Sequence, residues 1–221
     1  RNAEDVRKLK SLLPPHSIQV IAKIESKDAI ENFDEILQTA DAVMIARGDL
    51  GVQFPAFKVP MLQKKLVLKC NEIGMPVIVA TQMLESMIEN AIPTRAEASD
   101  VANAVLDGAD CVMLSAETSA GRHPIQAVHV MHEICVEAEH KFDHDNLKQF
   151  HDSSSIIARH AARIAMQCHA SAIVTPTESG FTARMAARER PKQDIIALTS
   201  NPSTLKHLQL SCGVFPHKIS F

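Results

Sequence analysis

Residues 42–51 read Ala42-Val43-Met44-Ile45-Ala46-Arg47-Gly48-Asp49-Leu50-Gly51. The first five are apolar without a polar interruption, between Asp41 and Arg47. A strand with one wet face alternates apolar and polar side chains, whereas one covered on both faces does not. This stretch is of the second kind. Residues 18–24, 77–80 and 111–114 are similar runs, nearly continuous in Val, Ile, Ala or Met. Between and after them, segments 29–39, 59–73, 95–106 and 125–141 carry helical spacing. A helix over 2–13 precedes them, with Val6, Leu9, Leu12 and Leu13 on one side and Pro14-Pro15 as its stop. Strand and helix in short alternation imply a parallel sheet with right-handed crossovers.

Four such units can be half of a (β/α)₈ barrel or one flank of an open doubly wound sheet, and periodicity does not separate the two. The polar residues favour a barrel, because they gather at the C-terminal ends of successive strands. Residues 142–155 are polar and aperiodic, which divides the chain into a domain over 1–142 and a smaller one over 152–221. The second has its own alternation: helix 154–168, strand 172–175, helix 182–189, strand 195–199, helix 203–210 and an apolar run at Val214-Phe215.

Composition narrows the function. With 221 residues and 46% of them hydrophobic, the chain can bury a sizeable core. A net charge of −3 lacks the Lys and Arg excess that nucleic acid or an anionic membrane demands. Neither is expected as a partner. Trp and Tyr are absent, which removes the usual platforms for base stacking. No apolar run has the length of a membrane span. The scattered cysteines (Cys70, Cys111, Cys135, Cys168, Cys212) lack metal-site spacing and read as small buried hydrophobes of a reducing cytosol. His140, His144 and His151 could form a zinc site only by converging from a polar linker, so a solvated linker is the expectation there.

The chemistry gathers at four strand ends. In Ile21-Ala22-Lys23-Ile24-Glu25, side-chain alternation sends Lys23 and Glu25 to one face, as a buried ion pair or a functional one. Arg47-Gly48-Asp49-Leu50-Gly51 reads as a turn whose glycines permit positive φ and whose Asp49 adds a second carboxylate. Glu25 with Asp49 suits Mg²⁺ or Mn²⁺, since hard cations take oxygen ligands and share them with substrate. Thr81-Gln82 ends the third run, and Ser115 with Glu117 ends the fourth.

The segments IAKIE, MIARGDLGV, VIVATQMLESM, PTRAEASDVANAVLDGADCVMLSAET and TPTESGFTARMAARERP, in this order and spacing, closely resemble the pyruvate kinase family. The resemblance covers essentially the whole chain. It implies strands five to eight of a (β/α)₈ barrel followed by part of an α/β regulatory domain. It further implies a kinase acting in glycolysis on phosphoenolpyruvate and ADP to give pyruvate and ATP.

By resemblance, Lys23 stabilises the phosphoryl group in flight and the enolate, and Glu25 and Asp49 hold Mg²⁺ or Mn²⁺. Ala46, Arg47, Gly48, Asp49 and Thr81 border substrate; Thr81 lies near the protonated carbon, and Ser115 belongs to a proton-delivery network. Thr177, Ser179, Gly180 and Thr182 match a loop that takes a sugar-phosphate effector. An ordinary capping turn is the other reading of that loop, since Glu178 opposes an anion and Phe181 replaces a frequently polar residue. The resemblance also implies K⁺ (with ligands outside this chain), a cytoplasmic homotetramer, and no useful activity for these residues without the rest of the barrel and its lid. Gln53 and Ala116 depart from the family's frequent Glu and Gly. Two rival readings remain: a metal-dependent lyase or aldolase that stabilises a pyruvate enolate, and a folded scaffold with vestigial sites.

Overall fold

The computed structural model describes residues 1–14, 18–142 and 153–220. Helix α1 (Ala3–Ser11) starts where Asn2 and Asp5 exchange bonds: the Asp5 amide donates to Asn2 Oδ1 at 3.0 Å, and the Asn2 amide to Asp5 Oδ2 at 3.3 Å. Then come β1 (Ile21–Ile24), α2 (Lys27–Glu31), α3 (Phe33–Leu37), β2 (Ala42–Ala46), α4 (Arg47–Gln53), α5 (Val59–Glu72), β3 (Val77–Ala80), α6 (Arg95–Leu106), β4 (Cys111–Met113), α7 (Ala116–Ser119) and α8 (Pro124–Glu139). The four strands form one parallel sheet in the order β1-β2-β3-β4.

Register decides which side chains share a face. Ile24 stands beside Ile45, Ile45 beside Val79, and Val79 beside Val112. This row, with Ala22, Val43 and Val77, packs against Phe33, Leu66, Val67 and Val101 on the helices. Burying each of the larger side chains contributes about 1.5–3 kcal/mol. The alternate row, which includes Lys23 and its neighbour Met44, faces the other way. Because the strands run in register, their C-terminal ends line up along one rim. Among the described residues β1 and β4 each pair on one side only.

The second unit comprises α9 (Ser153–Gln167), β5 (Ala172–Pro176), α10 (Phe181–Arg188), β6 (Asp194–Thr199), α11 (Pro202–His207) and β7 (Val214–Lys218). Its strands are parallel, in the order β5-β6-β7. Ile195, Ala197, Leu208 and the small face of α10 (Ala183, Ala186, Ala187) form its core.

Charge, not grease, marks the seam between the units. Arg188, Glu189 and Arg190 are consecutive and all buried. Arg190 Nη1 donates to Asp110 Oδ1 at 3.0 Å and Nη2 to the Gly108 carbonyl at 2.6 Å. Asp110 also accepts from the Val77 amide at 3.0 Å and the Cys212 amide at 3.1 Å. Arg188 Nη1 donates to the Glu72 carbonyl at 3.0 Å, while Glu189 stays within the second unit, its Oε2 accepting from Arg159 Nε at 3.1 Å.

Several expectations change. The helix over 29–39 is two short helices broken at Asn32, whose side chain donates to the Asp28 carbonyl at 2.9 Å and competes with the helical ladder. The expected glycine turn at 47–51 is helix α4, and neither Gly48 nor Gly51 has a positive φ. Cys168 is exposed rather than buried, while Cys70 is sealed. The polar divide near 142–155 and residues His144 and His151 fall largely or wholly outside the described residues. Among the described residues no group of His, Cys, Asp and Glu could hold a metal by three or more ligands. None of their helices is long and apolar enough to cross a membrane.

Candidate active site

Lys23, next to last in β1, has its ammonium between two carboxylates. Nζ lies 2.8 Å from Asp49 Oδ2 and is also paired with Glu25. The expectation of a buried pair is corrected: the side chains are 48% (Lys23), 45% (Glu25) and 51% (Asp49) exposed. The ion pair is thus an open rim feature. Hydrogen bonds to Asp49 and then Glu25 raise the Lys23 pKa above its ordinary value. The bond from Lys23 holds Asp49 below the usual carboxylate range. At neutral pH Lys23 and Asp49 therefore stay charged against each other.

Asp49 reaches Lys23 because β2 passes directly into α4. Gly48 allows a close approach at that junction: an added Cβ would stand 3.3 Å from Thr81 Oγ1 and crowd it, and the Gly48 amide donates to that same oxygen at 2.8 Å. Thr81 in turn donates to the Ala80 carbonyl at 2.6 Å. So the rim ends of β2 and β3 are stitched by one hydroxyl.

Thr81 and Gln82 both occupy the left-handed region, at φ 68° and 54°. Such a conformation in two consecutive non-glycine residues persists only where surroundings enforce it. Arg47 does the enforcing. Its guanidinium, 5% exposed, donates to the Thr81 carbonyl from Nε and Nη2, both at 3.2 Å, and to the Gln82 carbonyl. Nη1 reaches Asp100 Oδ2 at 2.7 Å. Arg47, expected to border substrate through the backbone, turns its side chain inward. Only its backbone borders the rim.

Ser115 and Glu117 follow β4. Glu117 is 2% exposed and spans two loops, accepting from the Leu84 amide at 3.2 Å and the Ser115 amide at 2.7 Å. Ser115 Oγ is buried with no hydrogen-bond partner among the described residues. In the second unit, Thr177 Oγ1 accepts from the Gly180 amide at 3.0 Å, and Gly180 takes φ 81° at the start of α10. Thr204 Oγ1 donates to the Glu178 carbonyl at 2.6 Å. The loop around Thr177, Ser179, Gly180 and Thr182 is thus tied by internal bonds, and Gly180 precedes α10 without a side-chain cap.

The structure brings Lys23, Glu25, Asp49, Gly48 and Thr81 together. Sequence reasoning missed the inward role of Arg47, the left-handed Gln82 and the bridging role of Glu117. No glycine marks positions 81 and 82, so residue type carried no signal of their conformation. Glu117, two residues beyond Ser115 at a strand end, was visible as a polar group but not as a buried one.

The sequence matches the family model described as pyruvate kinase, barrel domain, over residues 1–128, and the model described as pyruvate kinase, alpha/beta domain, over 155–221. The chain is 50% identical to a pyruvate kinase of Geobacillus stearothermophilus, with 97% of this chain and 38% of that protein covered. It is 45% identical to the human pyruvate kinase PKLR, covering 98% of this chain and 39% of the relative. A crystal structure of a pyruvate kinase from Cryptosporidium parvum superposes with a TM-score of 0.91 at 41% identity, over 99% of this chain and 48% of that one. The chain thus spans less than half the length of these relatives.

Proposed function

The chain belongs to the pyruvate kinase family, and from that premise we propose that it supplies the phosphoryl-transfer rim of a pyruvate kinase. The reaction is transfer of the phosphoryl group of phosphoenolpyruvate to ADP, giving pyruvate and ATP in the last step of glycolysis. The single observation that carries this reading is the Lys23 ammonium poised between Glu25 and Asp49, with Nζ 2.8 Å from Asp49, at the end of a strand.

Two half-exposed carboxylates just past the ends of adjacent strands fit a hard divalent ion, which commonly takes one or two protein carboxylates and completes its shell with substrate and water. Glu25 and Asp49 would hold Mg²⁺ or Mn²⁺, and the ion would supply compensation of phosphoryl and enolate charge. Everything else falls to the chain's own residues. Lys23 offers its charge to the transferring phosphoryl oxygens and to the enolate oxygen. Phosphoryl transfer needs little covalent help, so such placed charge dominates. The backbone of Ala46, Arg47, Gly48 and Asp49, with Thr81, borders the substrate carboxylate. The Thr81 hydroxyl is oriented by Gly48 and Ala80, and Arg47 fixes its backbone. Ser115, whose buried hydroxyl has a free bonding capacity among the described residues, belongs to the proton-delivery side of the reaction.

The same reading makes residues 1–142 part of the barrel and 152–221 part of the regulatory domain. It adds K⁺ with ligands outside this chain, a homotetramer in the cytoplasm, and an effector phosphate at Thr177, Ser179, Gly180 and Thr182. Residues 1–221 alone should show no turnover, since a four-stranded open sheet does not close off water from the reacting phosphoryl. The test is a complete enzyme carrying this chain, assayed for ATP formation from phosphoenolpyruvate and ADP and, separately, for retro-aldol cleavage. ATP formation lost in Lys23→Met supports the proposal. Cleavage without ATP formation would replace it with the lyase reading.

A further inference from the structure

Asp107 stands where neither the helix nor the solvent favours a carboxylate. It caps the C-terminus of α6, the end at which the helix dipole opposes negative charge, and its side chain is 8% exposed. Two neighbouring residues of α5 offset that cost. Gln63 Nε2 donates to Asp107 Oδ2 at 2.9 Å, and the half-exposed Lys64 pairs its ammonium with Oδ1.

Gln63 carries the contact onward. It is 3% exposed, and its other amide atom faces the rim, where Oε1 accepts from Arg47 Nη1 at 3.4 Å. The same Nη1 donates to Asp100 Oδ2 at 2.7 Å. Asp100 and Asp107 are seven residues apart, two turns along one face of α6 and its cap. One helix therefore holds Arg47 twice: directly through Asp100, and from Asp107 through the Gln63 amide. A glutamine suits this place because its ends differ. The carbonyl meets a donor and the NH₂ an acceptor, and exchanging them would set like groups together.

We propose that Gln63 is a positioning residue of the phosphoryl-transfer rim, coupling Asp107 to the Arg47 guanidinium and so holding Thr81 and Gln82 in their left-handed conformation. This role rests on the phosphoryl-transfer reading of the rim. To that reading it adds a relay, Lys64 to Asp107 to Gln63 to Arg47, that runs from the surface to Thr81. A guanidinium is a planar fork, so an anchor lost at Nη1 lets the plane turn, and with it both carbonyls that the fork grips. Thr81 Oγ1 accepts the Gly48 amide at 2.8 Å, which makes that amide a reporter of the far end of the relay.

Two readouts separate this role from the reading beneath it. Exchange of the Gly48 amide in the 221-residue chain, followed by NMR without substrate, reports the Thr81 contact alone. KM for phosphoenolpyruvate and kcat in a complete enzyme carrying this chain report its use. Gln63→Met keeps the volume and removes both polar ends. Gly48 exchange should then speed up, and KM rise, by about threefold to tenfold, the scale of one lost hydrogen bond, with kcat changing less. Gln63→Glu still accepts from Arg47 but sets a second carboxylate against Asp107, and should be at least as impaired. Adding Asp107→Asn restores a donor opposite that acceptor. The double variant Gln63→Glu/Asp107→Asn should thus return exchange and KM to within about twofold of wild type.

That rescue decides the matter even if Gln63→Met fails to fold. Wild-type Gly48 exchange and KM in Gln63→Met, or a double variant no better than Gln63→Glu, would overturn the proposal. Absence of ATP formation by the wild-type complete enzyme would instead remove the reading of the rim, with Gly48 exchange still deciding what Gln63 positions.

Discussion

Arg47 grips the carbonyl of Thr81 with two donors at once, Nε and Nη2, each 3.2 Å away. Thr81 in turn accepts the amide of Gly48, the residue next to Arg47, at 2.8 Å. The two strand ends hold each other, side chain to backbone and backbone to side chain. Arg47→Lys keeps the charge but offers a point donor that cannot span Thr81, Gln82 and Asp100 together. In the complete enzyme kcat should fall about tenfold or more, on the scale of one or two lost charge-assisted bonds. Thr81 is displaced even where the protein stays folded, so KM for phosphoenolpyruvate should rise while the melting temperature drops only modestly. A variant with wild-type kcat and KM would show that Arg47 is structural alone.

Lys23→Met addresses transition-state charge. In the complete enzyme kcat should fall by orders of magnitude with little change in substrate KM, because the ammonium is needed where charge develops. A large KM effect with kcat preserved would assign Lys23 to ground-state binding.

Mn²⁺ binding to this chain, followed by electron paramagnetic resonance, should be weak and should disappear in both Glu25→Ala and Asp49→Ala. Asp49 titrates below its ordinary value because Lys23 donates to it. The sign follows: the Asp49 carboxylate stays ionised as pH falls past the usual Asp range of about 3.9, so Asp49 is not the group whose protonation first releases Mn²⁺ on acidification. Retention of the ion by both variants would remove the metal assignment.

How far the sequence carries is clear at particular residues. Strands Ala42–Ala46 and Val77–Ala80 coincide with their apolar runs, because burial on both faces leaves nothing polar to blur the ends. Helix Arg95–Leu106 is equally legible, its start written in Thr94 and Glu97, whose side chain accepts the Thr94 amide at 2.8 Å. The site pair Lys23 and Glu25 followed from two-residue alternation along β1. Asn32 was not legible as a break, since its preference for local bonding competes with a helix only when packing permits. Nor was the Arg47 side chain: only the fold shows which carbonyls its guanidinium serves.

The seam between units makes its own forecast. Arg190→Met leaves Asp110 buried without its cation and should cost about 3–5 kcal/mol. Pairing it with Asp110→Asn should recover part of that loss in a double-mutant cycle by thermal melting. An additive cycle would mean that the two side chains are not coupled across the seam.

Thiol chemistry should sort by burial. Desolvation raises the Cys111 pKa to about 12 and that of Cys135 to about 11, and Cys70 goes higher still. Cys168, exposed on the second unit, should react with an aromatic disulfide at mildly alkaline pH well before the others. Early modification of Cys70 would contradict the sealed packing around it.

The run Arg188-Glu189-Arg190 has a mechanical meaning. Apolar surfaces slide over one another at little cost, because one methyl contact replaces another. Directed bonds cannot: a shift of a single residue would pull Arg190 off Asp110 and Arg188 off the Glu72 carbonyl and strand both guanidiniums in a dry gap. The two units should therefore behave as a latch with two positions, closed or released, and not as a hinge that yields by degrees.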